Sequence, residues 1–117
     1  MMSNFSEKID NLMKMAQLKK DQNNLIEASK IFQKILNIDP KNKKALNNIG
    51  NVFKERRMYE EAIKFYEKAI SIDSSYKTAK TNLAVLFHEL GNLKDAEKSY
   101  KELINLVRKL MKECQLV

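Results

Sequence analysis

The chain has 117 residues, a formal net charge of +7, one cysteine, one histidine, one proline and two glycines. That is room for one domain, and it excludes an intrachain disulfide, a CxxC redox or metal arrangement, and HExxH or paired-histidine metal chemistry. No run approaches the ~18 to 20 apolar residues that span a bilayer, and the N-terminus lacks the apolar core of a secretory signal, so the expected location is cytoplasmic.

Residues 1–8 form a short N-terminal extension, after which three units of equal length follow at 9–42, 43–76 and 77–110. In the first, Leu12, Met15 and Ala16 begin a helical apolar face, Asn23-Asn24 break it, and Leu25, Ala28, Phe32 and Ile35 begin a second. Asp39-Pro40 is a strong helix stop. In the second, Leu46, Ile49, Gly50 and Phe53 fall at i, i+3, i+4 and i+7. After Glu55-Arg56-Arg57 come Tyr59, Ala62, Ile63, Tyr66, Ala69 and Ile70, and Asp73-Ser74-Ser75 give a weaker stop. The third has Leu83, Ala84 and Phe87, a Gly91-Asn92 turn, then Leu93, Ala96, Tyr100 and Leu103. Val107 and Arg108 occupy the place of the earlier stops, so the last helix is expected to run from about Leu93 toward Cys114, with 111–117 as its continuation and tail.

Each unit is therefore a helical hairpin, and the fold class is all-α. Ala28, Ala62 and Ala96 recur at intervals of 34, as do Phe32, Tyr66 and Tyr100, and Ala16, Gly50 and Ala84. A fixed period of this length means stacked supersecondary units in place of one irregular core. Small residues mark the closest helix crossings, where a Leu would overpack at a cost of ~1 to 3 kcal/mol.

The pattern closely resembles the tetratricopeptide repeat, whose helix pairs carry a large residue, Leu-Gly, an aromatic, a turn, Ala, an aromatic, Ala and Pro. The second unit matches best, with Ser74 where the family has Pro; the first diverges most, with Lys19 in an aromatic position. The resemblance covers about 102 residues in one register. It implies a right-handed α-solenoid of three antiparallel helix pairs with an extended last helix. It also implies a concave groove, lined by first helices, that holds a peptide.

Projected onto that groove, the first unit contributes Met13, Lys14, Gln17, Lys20 and Asp21, and the second Lys44, Asn47, Asn48, Asn51, Lys54 and Glu55. The third contributes Thr78, Thr81, Asn82, Val85, His88 and Glu89. Amides dominate, and each carries both donors and an acceptor suited to peptide backbone. Asn48 and Asn82, one period apart, resemble the asparagine ladder of some family members. Lys20, Lys54 and His88 form one lane and Asp21, Glu55 and Glu89 the next. The family's carboxylate clamp for chaperone tails uses Lys and Asn, then Asn, then Lys and Arg. Here Met13, Gln17, Asn48, Thr78 and Asn82 stand at those positions, and only Asn48 agrees. Without the cations, the charge-assisted bonds that make carboxylate binding strong are missing.

Nothing in the sequence assembles an active site or a cofactor loop. Neither glycine belongs to a phosphate-binding motif, His88 reads as a solvated surface residue, and Cys114 sits near a helix C-terminus, without the positive field that activates a thiol. The charge is spread as +2, +2 and +3 over the three segments 1–42, 43–76 and 77–117. The outer lysine column Lys30, Lys64 and Lys98 is preceded at three residues by Glu27, Glu61 and Asp95, the spacing of helix ion pairs. Nucleic acid is accordingly not the expected partner, and a basic helical-repeat RNA binder is the rival reading. A noncatalytic segment of a larger protein or enzyme is the other. Finally, Leu103, Leu106, Val107 and Leu110 continue an apolar stripe that must be covered. Either the chain is a fragment of a longer repeat protein, or this helix pairs with a second copy in a homodimer. The expectation is a non-enzymatic scaffold for a protein or peptide partner, associating with itself through the last helix and requiring no cofactor, metal or membrane.

Overall fold

The computed structural model describes residues 2–115, among which there are six α-helices and no strand. They are α1 (Met2–Asp21), α2 (Leu25–Ile38), α3 (Lys43–Glu55), α4 (Tyr59–Ile72), α5 (Lys77–Glu89) and α6 (Leu93–Gln115). Each helix packs on its neighbours in sequence, as three hairpins stacked one on another within 40 × 37 × 21 Å. No described helix is long and apolar enough to cross a membrane.

The hairpin turns repeat as faithfully as the core. Asn23, Arg57 and Gly91, one period apart, all take positive φ, at 60°, 62° and 75°. Behind each, the next backbone N–H reaches back over the helix end: Asn24 to Lys19, Met58 to Phe53 and Asn92 to Phe87, at 2.8 to 2.9 Å. This is the Schellman closure, and it satisfies carbonyls that the helix itself leaves open. The sequence signals it at Asn23 and Gly91; at Arg57 the stack imposes it on a residue that resists it.

Second helices end where the stops predict, at Ile38 and Ile72, but by different means. The first stop is Asp39-Pro40. In the second, with no proline, Asp73 accepts from the backbone N–H and hydroxyl of Ser75 at 3.0 and 2.7 Å and pairs with Lys43 at the start of α3. The lysine and serine hold the Asp73 carboxyl down to about 2 from an ordinary 3.8. Asn42 caps α3, its side chain accepting from Ala45 N–H at 3.0 Å. With no such stop in the third unit, α6 runs on to Gln115, as expected.

The core sits between the layers. Ala16, Ala28, Ala62, Ala84 and Ala96 are buried at the crossings together with Phe32, Ile35, Ile49, Val52, Tyr66 and Leu86. Gly50 shows how tight a crossing is: a Cβ there would lie 2.6 Å from Cε1 and 2.7 Å from Cδ1 of Tyr66. The second unit has Gly because its aromatic ring lies flat against the first helix.

Candidate functional site

The first helices α1, α3 and α5 stand side by side, and their inner faces carry the polar residues expected of a groove. At the α1 end, Met13, Lys14 and Asp10 line an open depression of about 760 Å³ shared with Asn42 and Lys44. Gln17 is exposed and donates to Asp21, one turn on, at 2.9 Å. Lys20 is half-buried beside it.

Between α3 and α5 the amides form a network. Asn82 Nδ2 donates to Asn47 Oδ1 at 3.0 Å and lies 3.4 Å from Asn51 Oδ1. Asn51 Oδ1 also accepts the Tyr66 hydroxyl at 2.5 Å. Burial pushes the Tyr66 phenol well above its ordinary range, with Glu55 and Glu89 adding to the effect, so the phenol is a permanent donor. That fixes the Asn51 amide with its oxygen inward and its NH₂ turned away from the ring. Asn47 is only 3% exposed, and its oxygen ties the two units together. Of the two asparagines that resemble a ladder in the sequence, Asn82 is bonded to Asn47 and Asn51. Asn48 is half-buried and takes no part in this network.

The charged lanes also meet across units. Lys54 Nζ lies 3.3 Å from Glu89 Oε2, joining one lane to the next between α3 and α5. Both partners are partly exposed, so the pair is worth about 0 to 1 kcal/mol. Thr81 and His88 are exposed, Val85 is half-buried, and the His88 ring meets Tyr100 edge-on at 6.4 Å. The groove thus grades from a thioether and lysines at α1, through amides at α3, to Val85 and an imidazole at α5.

Tyr66 is the residue that spacing alone assigns to packing. Its hydroxyl nevertheless bonds Asn51 from within the core, and one signal for this was present: only in the second unit does a Tyr in the aromatic column accompany an Asn in the column of Gln17 and Val85. The first unit has Phe32 with Gln17, and the third has Tyr100 with Val85.

Along α6, Leu103, Leu106 and Leu110 are half-buried while Ile104, Val107 and Met111 are exposed. Cys114 is a free, exposed thiol. Among the described residues no three His, Cys, Asp or Glu side chains gather as a metal site would require.

Comparison with known proteins agrees with this fold. Family models described as "Tetratricopeptide repeat" match residues 9–42, 44–76 and 78–108. No curated protein matches the sequence as a relative. Among solved structures, MamA superposes with a TM-score of 0.83 at 19% identity, over 89% of this chain and 61% of that one. The Sgt2 domain from Aspergillus fumigatus gives 0.78 at 21% identity, over 85% and 66%. The chain thus spans under two thirds of these two structures. The first such domain of Spaghetti (RPAP3), bound to the HSP90 peptide SRMEEVD, gives 0.78 at 21% identity, over 95% and 94%. The type III secretion translocator chaperone SycD of Yersinia enterocolitica, described as an alternative dimer, gives 0.82 at 19% identity, over 94% and 83%. At these identities the likeness shows the fold, a right-handed α-solenoid of helix pairs.

Proposed function

The chain belongs to the tetratricopeptide repeat family, and from that membership we propose a non-enzymatic, cytoplasmic interaction module whose groove holds an extended segment of a protein partner. The amide network carries this reading. Asn51 has its oxygen occupied by Tyr66 and Asn82, which leaves its NH₂ free. Asn82 has its NH₂ turned to Asn47 and Asn51, which leaves its oxygen. A free donor and a free acceptor therefore stand on neighbouring helices, the pair required by the C=O and N–H of one residue of an extended segment, which point to the same side. Asn48 adds an amide from the next column, and Met13, Gln17, Lys20, Lys54, Thr81, Val85 and His88 complete the lining, while Asn47, expected there, is buried beneath it and holds Asn82 in place.

Peptides selected from a random display library test the proposal. Asn51→Ala and Asn82→Ala each weaken binding about tenfold, whereas Lys64→Glu on the outer face leaves it unchanged. Unchanged affinity in both asparagine variants ends the reading. Steep salt-dependent capture of random oligonucleotides, insensitive to those variants, supports the RNA-binding rival. Because Met13, Gln17 and Thr78 replace the clamp residues, an EEVD-tail peptide is expected to show no submicromolar binding in calorimetry.

The exposed apolar side chains of α6 favour a second role. Ile104, Val107 and Met111, beside Leu103, Leu106 and Leu110, form the surface through which the chain associates with itself.

A further inference from the structure

Within the molecule, the second helix of one unit covers the first helix of the next, α2 on α3 and α4 on α5. On the covered side, Ile49 and Val52 of α3 and Leu83 and Leu86 of α5 are buried. Their counterparts one period earlier, Met15 and Leu18 of α1, are 53% and 55% exposed. On the covering side, Tyr59, Ile63, Tyr66 and Ile70 of α4 belong to the cluster shared with α5. One period later α6 carries Leu93, Glu97, Tyr100 and Ile104, of which Leu93 and Ile104 are 64% and 50% exposed. The two ends of the stack are thus the two halves of an interface that the chain already makes twice internally.

We propose that a second copy of this chain stacks head to tail, with α1 of one copy seated on α5 and α6 of the other, so that the superhelix continues across molecules. This rests on the reading of α6 as a self-association surface and gives it a different mating face, α1 in place of a second α6. Charge is compatible with the pairing. Ile63 and Phe87 share one in-chain cluster, and the same step across copies brings Glu97, which pairs with Lys101 in its own chain, to Lys19 of the second copy, which pairs with Glu27, so an apolar pair becomes two adjoining ion pairs of mixed sign. The Lys54–Glu89 pair, carried one step on, becomes His88 with Asp21 of the second copy.

The exposed apolar side chains beyond the repeated part of each helix fit the same arrangement. Past Leu106, the counterpart of the last residue of α4, α6 continues for nine residues, 107–115. Before Ile9, the counterpart of the first residue of α3, α1 has seven, 2–8. In a stack of antiparallel hairpins both overhangs leave by the same edge, so one copy's lies along the other's. Each brings exposed apolar side chains, Val107 and Met111 on one and Phe5 on the other. Because the two faces differ, the contact is heterologous and open-ended.

Leu18→Glu and Ile104→Glu change residues that are exposed in the single chain, so both variants should keep the wild-type circular dichroism and melting temperature. In sedimentation velocity the wild type is expected to form dimers and then longer species as concentration rises. Each variant alone associates about tenfold more weakly or less, because a charge is buried in the contact. An equimolar mixture recovers a dimer and stops there, since each variant retains one intact and opposite face. If Leu18→Glu still dimerises like the wild type while Ile104→Glu does not, and mixing restores nothing, α6 pairs symmetrically and the head-to-tail arrangement is overturned. If the wild type stays monomeric to high micromolar concentration, self-association through α6 falls with it, and the end faces belong to other repeats or another protein.

Discussion

Arg57 holds, at φ 62°, a backbone conformation that its counterparts Asn23 and Gly91 tolerate far better. Arg57→Gly is therefore expected to raise the denaturation midpoint, by roughly 1 kcal/mol of stability with an unchanged denaturant slope. The contact between Gly50 and Tyr66 works in the opposite direction. With a Cβ placed 2.6 Å from the ring, Gly50→Ala forces the phenol aside and costs about 1 to 3 kcal/mol. It also pulls the hydroxyl from Asn51, so the loss should appear in groove binding as well as in stability. Tyr66→Phe separates the two effects: it keeps the ring, removes only the hydrogen bond, and should cost about 1 kcal/mol. Tyr66→Phe also frees the Asn51 amide to turn, so peptide affinity should drop more than the modest stability change suggests.

At the scale of the helices, hydrophobic spacing and turn residues made the six elements legible, including the overrun of α6, although α1 begins at Met2, within the stretch 1–8 read as an extension, where no apolar periodicity marks a helix. Two further features were not legible. The left-handed turn at Arg57 is imposed by the stack, since no local residue asks for it. The stop of α4 depends on Lys43, a residue 30 positions away that local reading does not associate with Asp73. That stop makes an acid-dependent prediction. The Asp73 carboxyl sits at about 2 when folded against 3.8 unperturbed, so its contribution is present above about pH 4 and is lost as pH falls toward 2. The stability advantage of the wild type over Asp73→Asn should stay constant down to about pH 4 and close by about pH 2 in urea titrations.

At the scale of the whole molecule, the 34-residue period specifies a scaffold whose most faithful columns are packing. The groove's chemistry lies off the period. Asn82 bonds residues 35 and 31 positions earlier, on either side of the repeat, because successive first helices are offset as they stack. Sequence reading found the amides and aligned them by column; their partners depend on the superhelical step, which spacing within one chain does not reveal. What the stack leaves over is a donor and an acceptor, Asn51 NH₂ and Asn82 Oδ1, which we propose meet the C=O and N–H of one residue of an extended segment. Nuclear magnetic resonance of the side-chain amides tests that claim most directly, with a library-selected peptide titrated into labelled protein. The account predicts that the Asn51 and Asn82 side-chain amide signals shift first and furthest, while the outer face around Lys30, Lys64 and Lys98 stays still. Saturable binding that moves the outer face and leaves both asparagine amides unchanged would contradict it.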